Sequence, residues 1–466
     1  MSQTKNVALL AGAALSLGFL SPAMAQSSLV KDRQLNAELT ADSLSRASLQ
    51  GGSAGSGFRI VDGNTSLTVG GLMQFRYTAN FRDDGTSTAP AGTITTDDDF
   101  TQGWANTSTK LWFKGTVGDP NLSFYLQGAF MTGRTDDINP GPPPTVGSSS
   151  ESNSFILEDA YGEYAFNDST SVRWGQFKLP ILREESVSEQ YQLAAQRSVT
   201  NAAFNQGRSQ AAMISYRSDQ FRFMAATGDG LRSQNTDFNS ANEADWSLTA
   251  RAEFLFQGND WGRFNDFTSF QGSAFTGMVG AAIHYQQSGD TGDGFDAIAN
   301  TGGSDTLLYT IDVSLEGDGW NLYGAFIGAN QNPDAAGEGT TDSFGVVLQG
   351  GVFLDPNWEI FGRWDAILAD DNAGPSPTKL DPSDFHFLTF GVNYYFIPQK
   401  HTLKFTLQAV IGLTETYDLT SVDPLSGGAG TSAPGYGAPL PFLPGGILGD
   451  IDSGEVALQA QVQVLW

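Results

Sequence analysis

The sequence predicts an all-β protein: a transmembrane antiparallel up-and-down β-barrel of about sixteen strands, with a short N-terminal periplasmic helix. Residues 455–466 (EVALQAQVQVLW) place an apolar residue at every second position and glutamine at most of the others, which is the period of a strand. Sixteen segments of this kind follow one another, with short connections alternating with long ones. A soluble sandwich has no reason to keep its long loops at one end, so a barrel with one lipid-facing and one water-facing surface is favoured.

The composition narrows the function classes. The 466 residues include 55 glycines, no cysteine and only 16% charged residues, with a formal net charge of −27. The absence of cysteine excludes disulfides and thiolate zinc sites. Nucleic acid is an unsuitable partner, because neutralising phosphates requires a basic surface.

The N-terminus predicts export. Residues 1–25 combine a short charged region, an apolar run and the small-residue site Ala23-Met24-Ala25, which is the pattern of a secretory signal peptide. Residues 26–65 are expected to form a periplasmic amphipathic helix, with Leu35 and Leu39 on its apolar stripe, followed by a Gly/Ser linker. The alternative is a disordered mature terminus, since so short a helix is marginal alone.

The barrel is predicted to occupy residues 66–466. Seven short connections alternate with eight long ones, which places both barrel ends on the periplasmic side. Residues 258–273 are the one long connection on the short-turn side. Five aromatic residues at strand ends beside the short turns predict an interfacial girdle: Phe166, Trp320, Trp358, Phe396 and Trp466. The predicted strands are 66–80, 106–118, 121–132, 155–166, 172–178, 210–217, 221–227, 245–257, 274–286, 306–316, 320–330, 343–354, 358–368, 385–397, 401–414 and 455–466.

A barrel of this size is wide enough for an aqueous channel. Alternation points cations and carboxylates alike into the lumen, so the strand charges alone predict no ion preference. The inward cations are Arg76, Lys110, Lys114, Arg251, Arg363 and Lys404, and the inward carboxylates are Asp159, Glu163, Glu253, Asp312, Glu316, Glu359 and Asp365. Selectivity would depend on which of these residues reach the constriction.

The third long connection, residues 179–208, is the candidate constriction. It contains apolar residues and a helical turn or two, which suits a loop that folds into the lumen. On this hypothesis Lys178, Arg183, Arg197 and Arg208 line or flank the narrowing. The alternative is that they are surface loop charges with no filtering role.

Four segments resemble the phosphate-selective porin O and P family. They are LEDAYGEY (157–164), GQFKLP (175–180), QRS (196–198) and NQGR (205–208). The resemblance implies a sixteen-stranded, trimeric outer-membrane porin with an inward third loop and passage of phosphate-like anions. Lys178, Arg197 and Arg208 occupy matched positions, so the resemblance implies that they are associated with the pore. The family's basic pore lining contrasts with the acidic excess of this chain.

The expected function is passive diffusion of small hydrophilic solutes, anions such as phosphate among them, across the outer membrane. A non-specific or cation-preferring general porin and an envelope-tethering structural barrel are the alternatives. No enzyme, cofactor or metal site is expected, because the three histidines (His284, His386 and His401) lie on separate strands. The acidic stretches 97–99 and 290–294 do not match a full calcium-loop motif and are interpreted as solvated charge.

Overall fold

The computed structural model describes residues 57–82, 85–89, 92–96, 100–130, 155–238, 240, 243–288, 303–333, 339–371, 384–416, 419, 425, 444–450 and 452–466. The predicted signal peptide, the periplasmic helix and the acidic stretches 97–99 and 290–294 lie outside these residues. No described helix is long and apolar enough to cross a membrane.

The described residues form a closed antiparallel barrel of sixteen strands, which confirms the predicted barrel and its strand number. Each barrel strand pairs with its neighbours along the chain, and the last pairs with the first. The strands are β1 (Phe58–Asp62), β2 (Thr65–Phe81), β3 (Gly85–Ala89), β4 (Gly92–Thr96), β5 (Phe100–Val117), β6 (Asp119–Phe130), β7 (Phe155–Ala165), β8 (Thr170–Phe177), β9 (Ser209–Arg217), β10 (Phe221–Gly228), β11 (Trp246–Gln257), β12 (Thr276–Ser288), β13 (Ser304–Gly317), β14 (Trp320–Pro333), β15 (Thr341–Phe353), β16 (Trp358–Leu368), β17 (Asp384–Tyr395), β18 (Leu403–Gly412) and β19 (Val456–Leu465). The barrel consists of β2 and β5 to β19.

Three strands lie outside the sixteen. The strand β1 pairs with residues 65–69 of β2, and β19 pairs with residues 72–81 on the same edge of β2. The strand β1 therefore covers backbone groups of β2 that β19 leaves unpaired. The strands β3 and β4 form a separate two-stranded hairpin in the first long connection. None of the three was predicted from sequence. The strands β3 and β4 are short polar segments without the alternation of a strand between lipid and water, and β1 is only five residues long.

The barrel closes at the C-terminal residue. Strand β19 pairs with β2 from Val456 opposite Phe81 to Leu465 opposite Leu72. The backbones of Gly71 and Trp466 then exchange two hydrogen bonds, of 3.0 and 3.1 Å. A Cβ atom on Gly71 would lie 2.2 Å from the Trp466 ring, so only glycine lets the terminal indole cover the seam.

Burial in the barrel is the inverse of that in a soluble protein. On β19, Val462 is 39% exposed while Gln461 is 1% exposed, and on β2, Phe75 is 41% exposed while Arg76 is 4% exposed. Apolar side chains therefore form the outer surface and polar ones the inner surface, as expected for a barrel in lipid. The five predicted girdle aromatics all lie at strand ends and are all exposed.

Candidate functional site

Residues 178–208, here called the third loop, connect β8 to β9 and carry two short helices, α1 (Arg183–Ser186) and α2 (Val199–Phe204). Ser198 caps α2, because its hydroxyl accepts a hydrogen bond from the Asn201 N–H at 2.9 Å. Both carboxylate oxygens of Glu184 accept from Ser198, one from its N–H and one from its hydroxyl, each at 2.7 Å. Burial raises the pKa of the Glu184 carboxyl, and the nearby Arg363 and the Ser198 hydrogen bonds oppose that rise. The two helices are thus joined through one buried carboxylate.

The ends of the third loop are joined by Gln206. Its side-chain N–H donates to the Leu179 carbonyl at 2.9 Å, and its side-chain oxygen accepts from the Leu182 N–H at 3.3 Å. The neighbouring Gly207 has a φ of +56°, which favours glycine at this turn. The NQGR segment therefore has a structural part in shaping the loop, in addition to supplying Arg208.

Inward side chains of the wall hold the loop backbone between residues 190 and 196. Most of them donate to loop carbonyl groups: Arg76 to Ala195 at 3.0 Å, Arg363 to Gln196 at 3.0 Å, Asn393 to Leu193 at 2.9 Å, Lys404 to Gln192 at 2.9 Å and Gln463 to Gln190 at 3.1 Å. The Gln408 side-chain oxygen accepts from the Ala195 N–H at 2.8 Å. These residues come from β2 and β16 to β19, so one side of the wall binds the loop.

Residues 258–275, here called the inner turn, hold the loop from another direction. This connection between β11 and β12 buries Trp261, Phe264 and Phe267. The Phe267 N–H donates to the Tyr191 carbonyl of the loop at 3.1 Å. Arg183 donates to the Phe264 carbonyl at 2.6 Å and the Ser314 hydroxyl at 2.7 Å, so it joins loop, inner turn and wall.

A cavity of about 800 Å³ remains between the third loop and the opposite wall, formed by β5 to β10. Among the described residues, eight cations line it: Lys110, Lys114, Arg173, Lys178, Arg197, Arg208, Arg217 and Arg222. Four carboxylates of the described residues line it: Asp159, Glu163, Asp168 and Glu189. The cavity surface is therefore electropositive in a chain of net charge −27.

Most of these cations have carboxylate partners, and several of the partners lie behind the cavity surface. Glu158 forms ion pairs with Lys110 at 2.8 Å and with Arg208 at 3.3 Å. Glu185 forms ion pairs with Lys178 and with Arg197. Neither carboxylate lines the cavity, and each is nearly fully buried. An ion in the cavity thus meets the cations at shorter range than their partners.

The seven residues predicted from sequence divide into two groups. Lys110, Lys114, Lys178, Arg197 and Arg208 line the cavity together. Arg76 and Arg183 do not: Arg76 binds the Gln461 side chain and the loop backbone, and Arg183 is buried against the inner turn. Arg251, Arg363 and Lys404, predicted to point inward, likewise donate to loop carbonyls rather than line the cavity.

Three cavity cations were missed by the sequence analysis: Arg173, Arg217 and Arg222. The alternation rule, applied along β8 to β10, would have found them, because the exposed Trp174, Ile214 and Phe221 mark the lipid face of these strands. The inward packing of the inner turn was also missed. Its signal is the density of large apolar residues in a connection. Among the described residues, no group of three His, Asp or Glu side chains is placed to hold a metal ion.

Comparison with solved structures finds similar outer-membrane barrels at low sequence identity. OmpT of Vibrio cholerae superposes with a TM-score of 0.50 and 9% identity, covering 88% of this chain and 100% of that one. The outer-membrane channel DcaP of Acinetobacter baumannii gives 0.50 and 11%, covering 88% and 99%. At such identities the likeness concerns the fold alone. A search of curated proteins found no match.

The model of the family "Phosphate-selective porin O and P" matches residues 143–430, more than half of the chain, and confirms the resemblance seen in the sequence. The matched region includes the third loop, the inner turn and most of the barrel strands. Family and fold together indicate a channel for small solutes rather than an enzyme. The chain belongs to the phosphate-selective porin O and P family of outer-membrane porins.

Proposed function

We propose that this porin conducts small hydrophilic anions, phosphate among them, by passive diffusion through the cavity between the third loop and β5 to β10. The observation that carries the proposal is the cavity lining of eight cations against four carboxylates. A narrow aqueous path with low-dielectric walls enlarges the effect of such an excess. Lys110, Lys114, Lys178, Arg197 and Arg208 are the proposed selectivity residues.

The position of the charges supports the sign of the selectivity better than their number. If Glu158, Glu185 and Glu253, which pair with cavity cations from behind, are counted, the balance falls to eight cations and seven carboxylates. Coulomb energy falls with distance, however, and these three carboxylates are buried behind the cationic surface. A permeating anion is therefore stabilised along the path, and a cation is repelled.

We also propose export by the signal peptide at residues 1–25 and a periplasmic helix and linker within residues 26–65, of which 58–62 form β1. Assembly into a trimer is proposed as well, as the resemblance implies. The acidic excess of the whole chain favours the alternative, a non-specific or cation-preferring porin. A second alternative is a structural barrel tethered to the envelope through its N-terminal helix. That function predicts no conduction.

The test is single-channel recording of the purified protein in a planar bilayer under a potassium chloride gradient. The expected reversal potential has the sign of chloride permeation, and added phosphate reduces the chloride current. A potassium-signed reversal potential would reject the anion channel in favour of the general porin. Absence of any conductance would favour the structural barrel.

Neutralising Lys114 tests the assignment of selectivity to the cavity. Lys114 has no ion-pair partner among the described residues, so Lys114→Gln removes a cavity charge without leaving a buried carboxylate alone. In water, a unit charge interacts with a permeating ion at about 6 Å by about 0.7 kcal/mol, and 0.1 M salt roughly halves this energy. The chloride-to-potassium permeability ratio should fall about two- to fourfold. The matched control is Lys400→Gln, which removes the same charge from an exposed turn outside the cavity and should leave the ratio unchanged.

A further inference from the structure

Apolar side chains cross the cavity wall where a water-filled pore is expected to be polar. Five consecutive strands, β6 to β10, all contribute large apolar side chains to the lining, and five of these residues are here called the apolar stripe: Tyr125, Tyr161, Phe177, Met213 and Met224. Phe177 and Met213 belong to the hydrophobic core at the base of the third loop, and Tyr161 and Met224 pack against that core. Tyr125, Tyr161 and Met224 are only partly buried, so each keeps part of its surface exposed in the cavity that it lines.

The rings of the stripe are held in fixed orientations. Tyr125 and Tyr161 stack at 5.4 Å with an interplanar angle of 28°, and Phe177 meets Tyr161 edge-on at 6.0 Å. The Arg173 guanidinium lies 4.3 Å from the centre of the Tyr161 ring and pairs with Glu163 at 2.6 Å. Such packing gives a preformed surface, so a bound solute has little ordering to impose on it.

The stripe adjoins the cationic lining. Phe177 is followed directly in sequence by Lys178. Asp159 and Tyr161 lie two residues apart on β7, hence on one face, and Asp159 pairs with Arg208 at 3.1 Å. One cavity wall thus places cations beside a flat apolar surface.

We infer that the cavity binds and passes organic anions with a flat apolar body, aromatic carboxylates being the class that fits best. This inference rests on the proposed anion channel and names its preferred substrate class. The carboxylate is stabilised by Lys178, Arg197 and Arg208, while the ring lies against the apolar stripe and leaves water. An inorganic anion of the same charge gains only the first of these contributions.

The probes are benzoate and acetate, monoanions that share a carboxylate and differ in the ring. Each is added to one side of a bilayer containing a single purified channel while the chloride current is recorded. Benzoate is expected to block the current at a concentration about tenfold or more below that required of acetate. Equal block by the two anions, with chloride selectivity intact, would overturn this inference and leave the proposed function standing. A channel selective for potassium would overturn both.

Two substitutions test whether the apolar stripe causes the stronger block by benzoate. Tyr161→Ser removes the central ring, and Met224→Gln makes the edge of the stripe polar at nearly the same length, so a folded channel is expected from at least one of them. Each should weaken benzoate block about three- to tenfold relative to acetate block measured in the same channel. Tyr285→Ser on β12, outside the cavity lining, is the control. Undiminished benzoate block in both stripe variants would overturn the assignment to the stripe.

Discussion

Arg183 joins the third loop to the inner turn and to the wall, and this junction, here called the interlock, permits a quantitative test of how the loop is held. Arg183 is 4% exposed and donates short hydrogen bonds to the inner turn and to Ser314 on β13. Its guanidinium also lies 5.0 Å from the centre of the Phe267 ring. Arg183→Met keeps most of the apolar volume and removes the donors. The two short hydrogen bonds from this charged group are worth about 3–6 kcal/mol, and a third, to the Asp266 carbonyl at 3.3 Å, is longer and weaker. Part of this is returned because the guanidinium no longer has to be desolvated, which leaves about 2–3 kcal/mol of local stability lost.

Amide hydrogen exchange measured by mass spectrometry reads this local stability. The Phe267 N–H is the reporter, because it donates across the interlock to the loop carbonyl of Tyr191. A loss of about 2–3 kcal/mol accelerates exchange roughly 30- to 150-fold where opening is local. The control is Arg217→Met, which removes an exposed arginine whose side chain makes no hydrogen bond or ion pair with the inner turn among the described residues. Unchanged exchange at the inner turn in Arg183→Met would refute the interlock.

Two further predictions concern the seating of the loop. A Cβ on Gly345 would lie 2.7 Å from Thr200 of α2, so Gly345→Val should displace this helix and broaden the distribution of single-channel conductances. The control is Gly324→Val, because the nearest neighbour of a Cβ there lies at 3.7 Å and the distribution should stay narrow. Identical distributions in the two variants would contradict this prediction. Burial lowers the pKa of His401, which faces Asp266 of the inner turn at 3.6 Å and Lys404. When the inner turn opens locally, His401 reaches water and binds a proton more readily than in the closed structure. The rate of amide hydrogen exchange in the inner turn should therefore rise as the pH falls through the ordinary histidine range, and should rise less in His401→Asn. A pH response retained in full by the variant would exclude His401 as its origin.

The wall of the barrel was predictable because its cause is local. Lipid outside and water inside impose an alternation that each strand records by itself, as β19 does with valine and glutamine in turn. The boundaries of β5 were less accurate: the structure begins it at Phe100, where pairing with β2 extends to the end of that strand, while the alternation suggests residue 106. Strands that pair outside the lipid layer need no apolar face, so the alternation of apolar and polar residues is weaker in that part of β5.

The division of the inward cations could not be read from sequence. Arg76 and Lys114 both alternate toward the lumen, yet Arg76 binds the third loop and Lys114 lines the cavity. The difference depends on which part of the wall the loop covers, a contact between segments far apart in the chain. The sequence marks the third loop as partly apolar and does not mark the wall to which it binds.

The seam between β2 and β19 has a consequence for the order of folding. Hydrogen bonds across it join Gln74 to Gln463 and Arg76 to Gln461, residues 389 and 385 positions apart. Contacts of such separation form late, because their chain-closure entropy is lost before they contribute stability. Arg76 and Gln463, one on each side of the seam, also bind the third loop. The event that closes the wall therefore also completes the constriction, so an unclosed intermediate would hold neither a continuous wall nor a pore of defined width.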